Sequence, residues 1–329
     1  MQRLLLLGMP WVGQAIYVIA KLGVADALAD GPVGSDELAA QVSAHPGALY
    51  RFCRAMTALE LMEEHSDRRF SLTEGGHLLR TGAPGSFRHF AVVNGAEAFA
   101  AWAEVEHSVR TGEPAFERVH GMPHFDYLAQ NPEANSDFNA MAGAGTTPRI
   151  LADLDLSEAR VIVDIGGSTG TTLSEVLRGN PQASGILQDL PNVVAEAPEV
   201  LRRYGVEDRC EIVGKSFFDG VPEGADVYLL CRVLHDWSDE DSLRLLDQVR
   251  SAMRPGARLV IVDQTIPDTP GFHPGKLTDL QMLVVLGGKE RTVEEMTDLL
   301  DKSGFQVTGV RRPEVPGPGG ETAIEAVAS

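Results

Sequence analysis

The sequence predicts an α/β protein with a doubly wound, mostly parallel sheet that ends in an antiparallel hairpin, preceded by a mainly α, winged-helix-like unit. Three observations predict it. Val161 to Asn192 reads VIVDIGGSTGTTLSEVLRGNPQASGILQDLPN, in which a β-branched apolar run closes on Asp164, a glycine turn follows, and a helical pattern leads to a second apolar run ending in Asp189. Gly34 to Arg80 reads as helix, turn, helix and a short polar hairpin. Near the C-terminus, Phe305–Arg311 and Thr322–Val327 have strand character and flank a Pro- and Gly-rich stretch, Pro313 to Gly320, that suits a hairpin turn.

The chain has 329 residues, too many for one ordinary core and suited to two domains. We expect a winged-helix-like domain over 1–96, a helical linker and substrate lid over 97–156, and a ligand-binding α/β domain over 157–329. Lys and Arg number 28 against 47 Asp and Glu, for a net charge of −19, so a nucleic-acid backbone would be repelled and small molecules are the natural partners. Cys53, Cys210 and Cys231 sit in apolar settings without C-x-x-C spacing, as reduced thiols of a cytoplasmic protein do. No internal repeat is visible.

In chain order, Arg3 and the apolar segment Leu4 to Ala20, with Ala27-Leu28-Ala29 beyond, imitate a signal peptide. Gly8, Pro10, Gly13 and Gln14 interrupt that segment and Lys21 closes it, so it suits neither a bilayer span nor a leader. An amphipathic helix pair burying its apolar face against another subunit is the expectation. The winged-helix pattern raises DNA binding, but from Asp36 to Arg80 five basic residues face seven acidic ones, which makes no phosphate-binding face. Residues 97–156 alternate helical stretches with Gly and Pro breaks, and Ser136 to Leu154 is expected to bridge the domains. His120 and His124 have metal spacing only on one helix face, and Gly121 and Pro123 between them point to a loop instead. No metal site is expected.

The glycine unit is a nucleoside grip. Gly166, Gly167 and Gly170 permit a tight turn and close backbone approach, the helix from Thr171 to Arg178 aims its N-terminus at the ligand, and Asp189 stands 19 residues beyond Gly170, where an acid can hold ribose hydroxyls. Three ligands compete. The dinucleotide fingerprint G-x-G-x-x-G is off by one place in D-x-G-G-x-x-G. Gly166 to Gly170 also satisfies G-x-S-x-G, the nucleophile elbow of α/β-hydrolases, but the residues before 160 read as helices and leave half an oxyanion hole unsupplied. S-adenosylmethionine (SAM) needs the same acid and has no pyrophosphate to cradle.

A further strand, Ala225 to Cys231, delivers Arg232-Val233-Leu234-His235-Asp236-Trp237 at its carboxyl end, the edge at which ligands bind in open α/β sheets. Ser238 is placed to cap the following helix, with Asp241 three residues on. An isolated histidine is more often a packing or surface residue than a catalyst, but one at a strand tip beside a nucleoside grip is a candidate base.

Several strings of this chain resemble the small-molecule O-methyltransferases typified by plant caffeate and bacterial polyketide enzymes: TGEPAFERVHGMPHFDYLAQNPE (Thr111 to Glu133), LQDLPNVV (Leu187 to Val194), VYLLCRVLHDWSDEDS (Val227 to Ser242), LVIVDQTIPD (Leu259 to Asp268) and LVVLGGKERTVEEM (Leu283 to Met296). The resemblance covers nearly the whole chain, and HDWSDE and GGKERT are its most specific parts. It implies the methyltransferase variant of the doubly wound fold, with SAM as cofactor. It also implies a homodimer whose N-terminal domain serves dimerisation and lends residues to the partner's active site. His235 matches the family's base, Glu290 matches one flanking acid, and Asp263 falls where the family carries a longer Glu. Gly166 and Asp189 match the methionine and ribose contacts, with Asp164 grouped beside them, and Leu190 and Phe217 would wall the adenine. Ser216 in Lys215-Ser216-Phe217-Phe218 replaces an acidic contact of the plant pattern, and Arg232 stands near the cofactor side, where the other reading is an ion pair. For the acceptor, Phe138, Met141 and Met282 are flat-ring grips that could equally be core packing, and Asp236 neighbours the base.

Methyl transfer from a sulfonium is an in-line displacement that asks the protein for positioning and for removal of one proton. Between a phenol and an ordinary imidazole, complete prior transfer would cost about 5 kcal/mol, so deprotonation is expected to accompany attack, with a pH dependence near the ordinary imidazole value. Hydroxylation or decarboxylation by a SAM-binding relative, and a ligand-responsive winged-helix regulator, are the alternatives. His235 weighs against the first, and the missing basic recognition helix against the second.

Overall fold

The computed structural model describes residues 8–144, 147–312 and 321–329. They fall into two units, one formed by Met1–Ala103 with Pro132–Ala144 and the other by Glu104–Asn131 with Gly145–Ser329.

In the first unit the helix Trp11–Lys21 buries Ile19 and Ala20, and Gly23, at φ +69°, turns the chain into the short helix Val24–Ala27. This is the expected helix pair; residues 1–7 lie outside the described residues. The helices Ser35–Gln41 and Pro46–Ala58 follow. Strands β1 (Val33–Gly34), β2 (Met62–His65) and β3 (Arg69–Leu72) form an antiparallel sheet in the order β1-β3-β2. Leu38, Leu49, Cys53, Met56 and Phe70 fill one core beneath these elements. Helix, turn, helix and wing are therefore present as the sequence predicts.

The second unit carries a seven-stranded sheet of β4 (Val161–Ile165), β5 (Ser184–Asp189), β6 (Cys210–Gly214), β7 (Val227–Cys231), β8 (Arg258–Asp263), β9 (Phe305–Arg311) and β10 (Thr322–Ala328), in the order β6-β5-β4-β7-β8-β10-β9. The first five strands in that order run parallel, while β10 is antiparallel to both β8 and β9. The reason for this sheet is visible in the side chains. β4, β7 and β8 are mostly apolar, and successive residues bury on opposite faces, Ile162, Leu229 and Val260 in one core and Val163, Tyr228 and Ile261 in the other. β7 begins at Val227 and not at Ala225. The residues before it are spent elsewhere: the Ala225 amide meets the Tyr228 hydroxyl at 3.3 Å, and the Asp226 carboxylate accepts the Arg160 and Val161 amides at 2.8 and 2.9 Å. The expected hairpin turn, Pro313 to Gly320, lies outside the described residues.

The chain lays β5 and β6 to one side of β4, then returns to place β7 on the other. β4 and β7 thus border the switch point at which open α/β sheets bind ligands, beyond their carboxyl ends. Among the described residues no helix is long and apolar enough to cross a membrane.

Candidate active site

β4 delivers its glycine turn at this carboxyl edge. Gly166 and Gly170 adopt φ of +67° and +87°, and Ser168 between them is held at +54°, a left-handed conformation that costs a non-glycine residue energy and marks a constrained turn. A Cβ on Gly166 would lie 2.9 Å from Val233, and one on Gly167 would lie 2.5 Å from Leu187 and 2.6 Å from the Asp164 carboxylate. The glycines keep a cradle open that any side chain would fill. Asp189, the last residue of β5, accepts the Ser168 amide at 2.8 Å and the Leu190 amide at 2.7 Å, so its carboxylate is locked against the turn. Burial raises its pKa, which those two amides oppose. Asp164 is fully buried under Gly167. Burial first, and then the charge of Asp189, push it up to about 7; the Leu173 amide eases this without closing a hydrogen bond to either oxygen. Two carboxylates stacked beneath an open backbone cradle favour a cationic ligand.

The second half of the site follows β7. Arg232 takes φ +57°, and a 3₁₀ turn, Leu234–Asp236, presents His235. His235 Nδ1 lies 3.3 Å from Glu290 Oε1 and 3.8 Å from Asp263 Oδ1, while Nε2 lies 3.4 Å from Asp236 Oδ1. Glu290 and Asp263 are 3% and 2% exposed. Glu290 is hydrogen-bonded to the ring. Asp263 is a methylene short of it, and both its carboxylate oxygens and Glu290 Oε2 remain without a hydrogen-bond partner. Burial works against a charge on His235, but Asp236, then Asp263 and Glu290, outweigh it and raise the ring to about 10. Burial in turn lifts Asp263 to about 7 and Asp236 to about 6, each against the pull of His235. The acids oppose one another as anions and favour the imidazolium together, so the cluster titrates as a unit. The expectation of an ordinary imidazole is thereby corrected upward: three acids meet at one ring, which the sequence separates by up to 55 residues.

The GGKERT segment reaches this turn after a single π-helical turn, Met282–Leu286, of the kind that accompanies functional sites. Gly288 lies directly against the backbone carbonyls of His235 and Asp236, a position closed to any Cβ. The Glu290 amide donates to Asp279 at 2.9 Å, and Thr292 opens the helix Val293–Lys302 with a capping box to Glu295. Ser238 caps the helix Asp239–Ala252, accepting the Asp241 amide at 3.1 Å as expected.

Of the expected site residues, His235, Asp236, Asp263 and Glu290 converge on one ring, and Gly166, Asp164, Asp189 and Leu190 on one turn. Phe217 lies 3.6 Å from the Gly166 Cβ position and packs edge-on against Trp237. Ser216 accepts the Phe218 amide at 3.3 Å and caps the 3₁₀ turn Phe217–Asp219. Arg232 is engaged by the buried Glu321, with Nε 2.8 Å from its carboxylate, so the ion-pair role is the one visible here. Met282 opens the π-turn. Phe138 and Met141 lie three apart on the helix Pro132–Ala144 of the first unit, partly buried on one face. His120 and His124 are separated by the Gly121 turn as expected; burial, then His120, lowers His124 to about 4. Among the described residues no group of three or more His, Cys, Asp or Glu is arranged to hold a metal. Sequence reasoning missed three residues. Arg291 and Asp279 anchor the Glu290 segment, and Phe125 stacks on Trp237 at 5.6 Å. Arg291 was within sight in the GGKERT string; the other two pairings depend on the fold.

Comparison with known proteins shows the family and the fold. Residues 102–306 match the family model of the O-methyltransferase domain, and residues 4–82 that of the O-methyltransferase dimerisation domain. The chain is 41% identical over 320 residues to the phenazine O-methyltransferase PhzM of Lysobacter antibioticus, covering 96% of this chain and 92% of that one. It is 39% identical to the O-demethylpuromycin-O-methyltransferase of Streptomyces alboniger, covering 99% and 88%. Among solved structures, LaPhzM superposes with a TM-score of 0.93 at 39% identity, over 100% of this chain and 99% of that one. NcsB1, an O-methyltransferase from neocarzinostatin biosynthesis solved with S-adenosylmethionine and 2-hydroxy-5-methyl naphthoic acid, superposes with a TM-score of 0.86 at 28% identity, over 98% of each.

Proposed function

This chain belongs to the SAM-dependent O-methyltransferase family, and from that premise we propose that it methylates a phenolic hydroxyl on a small aromatic of secondary metabolism, without a metal and with His235 as general base. The observation that carries the reading is the convergence of Glu290, Asp263 and Asp236 on His235, one strand away from the glycine turn. The cradle at Gly166 and Gly167 and the two carboxylates beneath it fit a nucleoside bearing a positive charge. Gly166, Asp164, Asp189, Leu190, Ser216 and Phe217 are the residues we assign to that ligand, and Arg232 supports the edge from its pair with Glu321. SAM, when bound, supplies an electrophilic methyl group whose sulfur leaves as a neutral thioether.

The chain's own residues move one proton. With Nδ1 held by Glu290, Nε2 of His235, which lies 3.4 Å from Asp236, is the atom that takes the phenolic proton as the oxygen forms its bond to the methyl carbon. Raising the ring above an ordinary imidazole narrows its gap to a phenol, so the transfer within the site costs less, and part of the cost moves into freeing the ring of its resting proton. Asp236, beside Nε2, and Phe138, Met141 and Met282 are assigned to the acceptor. Residues 1–96 serve homodimerisation, 97–156 the acceptor lid and 157–329 cofactor binding, in a cytoplasmic enzyme with no nucleic-acid or membrane partner.

Incubation with SAM and a panel of naphthoic, phenazine and benzoic phenols, with EDTA present, should yield O-methyl ethers detected by mass spectrometry. Loss of transfer on chelation, or methylation at nitrogen or carbon alone, would sink the proposal.

A further inference from the structure

Arg291 is 2% exposed, and a buried guanidinium persists only where its donors are met. All of the side-chain hydrogen bonds seen here go to one segment, the turn that carries His235 and the helix start behind it. Nη1 donates to the Leu234 carbonyl at 2.7 Å, and Nη2 to the Trp237 carbonyl at 2.9 Å and to Ser242 Oγ at 3.2 Å. Nε and Nη2 share Asp239 Oδ1 at 3.0 and 2.8 Å, and Lys289 holds the other oxygen of that carboxylate at 2.9 Å. The two carbonyls bracket His235 on both sides. Along the backbone, Arg291 directly follows Glu290, its own carbonyl accepts the Ile266 amide at 3.1 Å, and it bridges to Thr265, two residues past Asp263.

We infer that Arg291 is a positioning residue for methyl transfer: it clamps the His235 turn to the strand-like segment that bears Glu290 and thereby sets the distance between ring and acid. Its guanidinium makes no hydrogen bond to the ring or to the three acids around it; its charge also favours the Asp263 anion, an effect that a lysine at this position keeps, so the fork geometry is what a lysine would remove. The fork is what matters. A planar guanidinium reaches two carbonyls and a carboxylate at once, and an ammonium has no fixed geometry with which to do so. A loosened clamp lets the turn drift from Glu290, and the ring then loses the contact that favours its charged form.

The inference rests on the reading of His235 as the base, and its test separates the two. Arg291→Lys keeps the charge and removes the fork, so a change in His235 reports geometry and not a missing cation. Full-length enzyme labelled at histidine is titrated by NMR without any acceptor. His235 should titrate well above about 6.5 in the parent and fall by about one unit or more in Arg291→Lys. In kinetics with an acceptor from the phenol panel, kcat should fall about tenfold or more while the affinity for SAM by calorimetry stays within about threefold. Arg291→Lys added to His235→Ala should cost nothing further. An unmoved His235 titration in a folded Arg291→Lys variant overturns the inference, as does a kcat loss that persists undiminished in the His235→Ala background. If melting shows that Arg291→Lys does not fold, Asp239→Asn decides. It removes the half-exposed carboxylate that anchors the fork and should move the titration in the same direction by less, and no movement there overturns the inference. Failure of the base reading itself looks different, since His235→Ala would then keep the parent's kcat, or lose it equally for a neutral and an already ionised phenol, whatever the titrations show.

Discussion

At the residue scale, His235 is defined by what surrounds it. An imidazole alone is neutral above about 6.5, and the three acids that meet here hold it charged to about 10. The sign follows. The base form exists only after that proton leaves, so kcat should rise with pH through an apparent pKa above the ordinary imidazole value. Glu290→Gln keeps shape and removes one of the charges that raise the ring, so the limb should move to lower pH and turnover should fall less than in His235→Ala. His235→Ala itself should lower kcat by about 10²–10⁴-fold for a neutral phenol and leave SAM affinity within a few-fold. With a phenol of similar shape that is already ionised, single-turnover rates should show that penalty shrinking. Equal penalties for the two acceptors would reduce His235 to a ring-positioning role. Glu290 was readable from its string, while the missing methylene of Asp263 left its reach to the ring open in the sequence. The upward shift of the ring was not, because it depends on distances across β7, β8 and the GGKERT segment.

At the scale of the element, the glycine turn and the end of β5 work as one part. Asp189 accepts the Ser168 amide of the turn and the Leu190 amide next to itself, and so ties the left-handed Ser168 to the end of β5. Asp189→Ala removes both the supports and the charged acceptor, each such hydrogen bond being worth about 1.5–3 kcal/mol. Calorimetric titration with SAM should show affinity at least tenfold weaker, and unchanged affinity would remove Asp189 from the cofactor site. Strand, turn, helix and second strand were legible in the sequence because each is punctuated locally, by β-branched runs, glycines and a terminal acid. The π-turn at Met282–Leu286 was not, since nothing local distinguishes LVVL in a π-turn from the same residues in an ordinary helix.

At the scale of the molecule, assembly is written on the first unit. Trp11 is 63% exposed there, and Phe87 and Phe90 pack ring to ring at 4.6 Å while 45% and 44% exposed. Apolar surface of this kind, in the unit whose residues 4–82 match a dimerisation domain, calls for a second copy. Light scattering should give twice the 35.4 kDa chain mass, and a monomer at micromolar concentration would contradict the homodimer. The net charge of −19 acts at the same scale and works against association with a polyanion.

The strand, turn, helix and strand around Gly166, the glycine turn with its acid, and the strand tip carrying His235 were determined by the sequence alone, because periodicity, glycine spacing and turn chemistry act between near neighbours. The strand order that puts β7 beside β4, the gathering of Asp236, Asp263 and Glu290 on one imidazole, the diversion of Arg232 to Glu321 and the clamp made by Arg291 were decided only by tertiary structure. Each joins residues far apart in the chain, and the burial and hydrogen-bond partners that set their charge exist only once the sheet has closed around them.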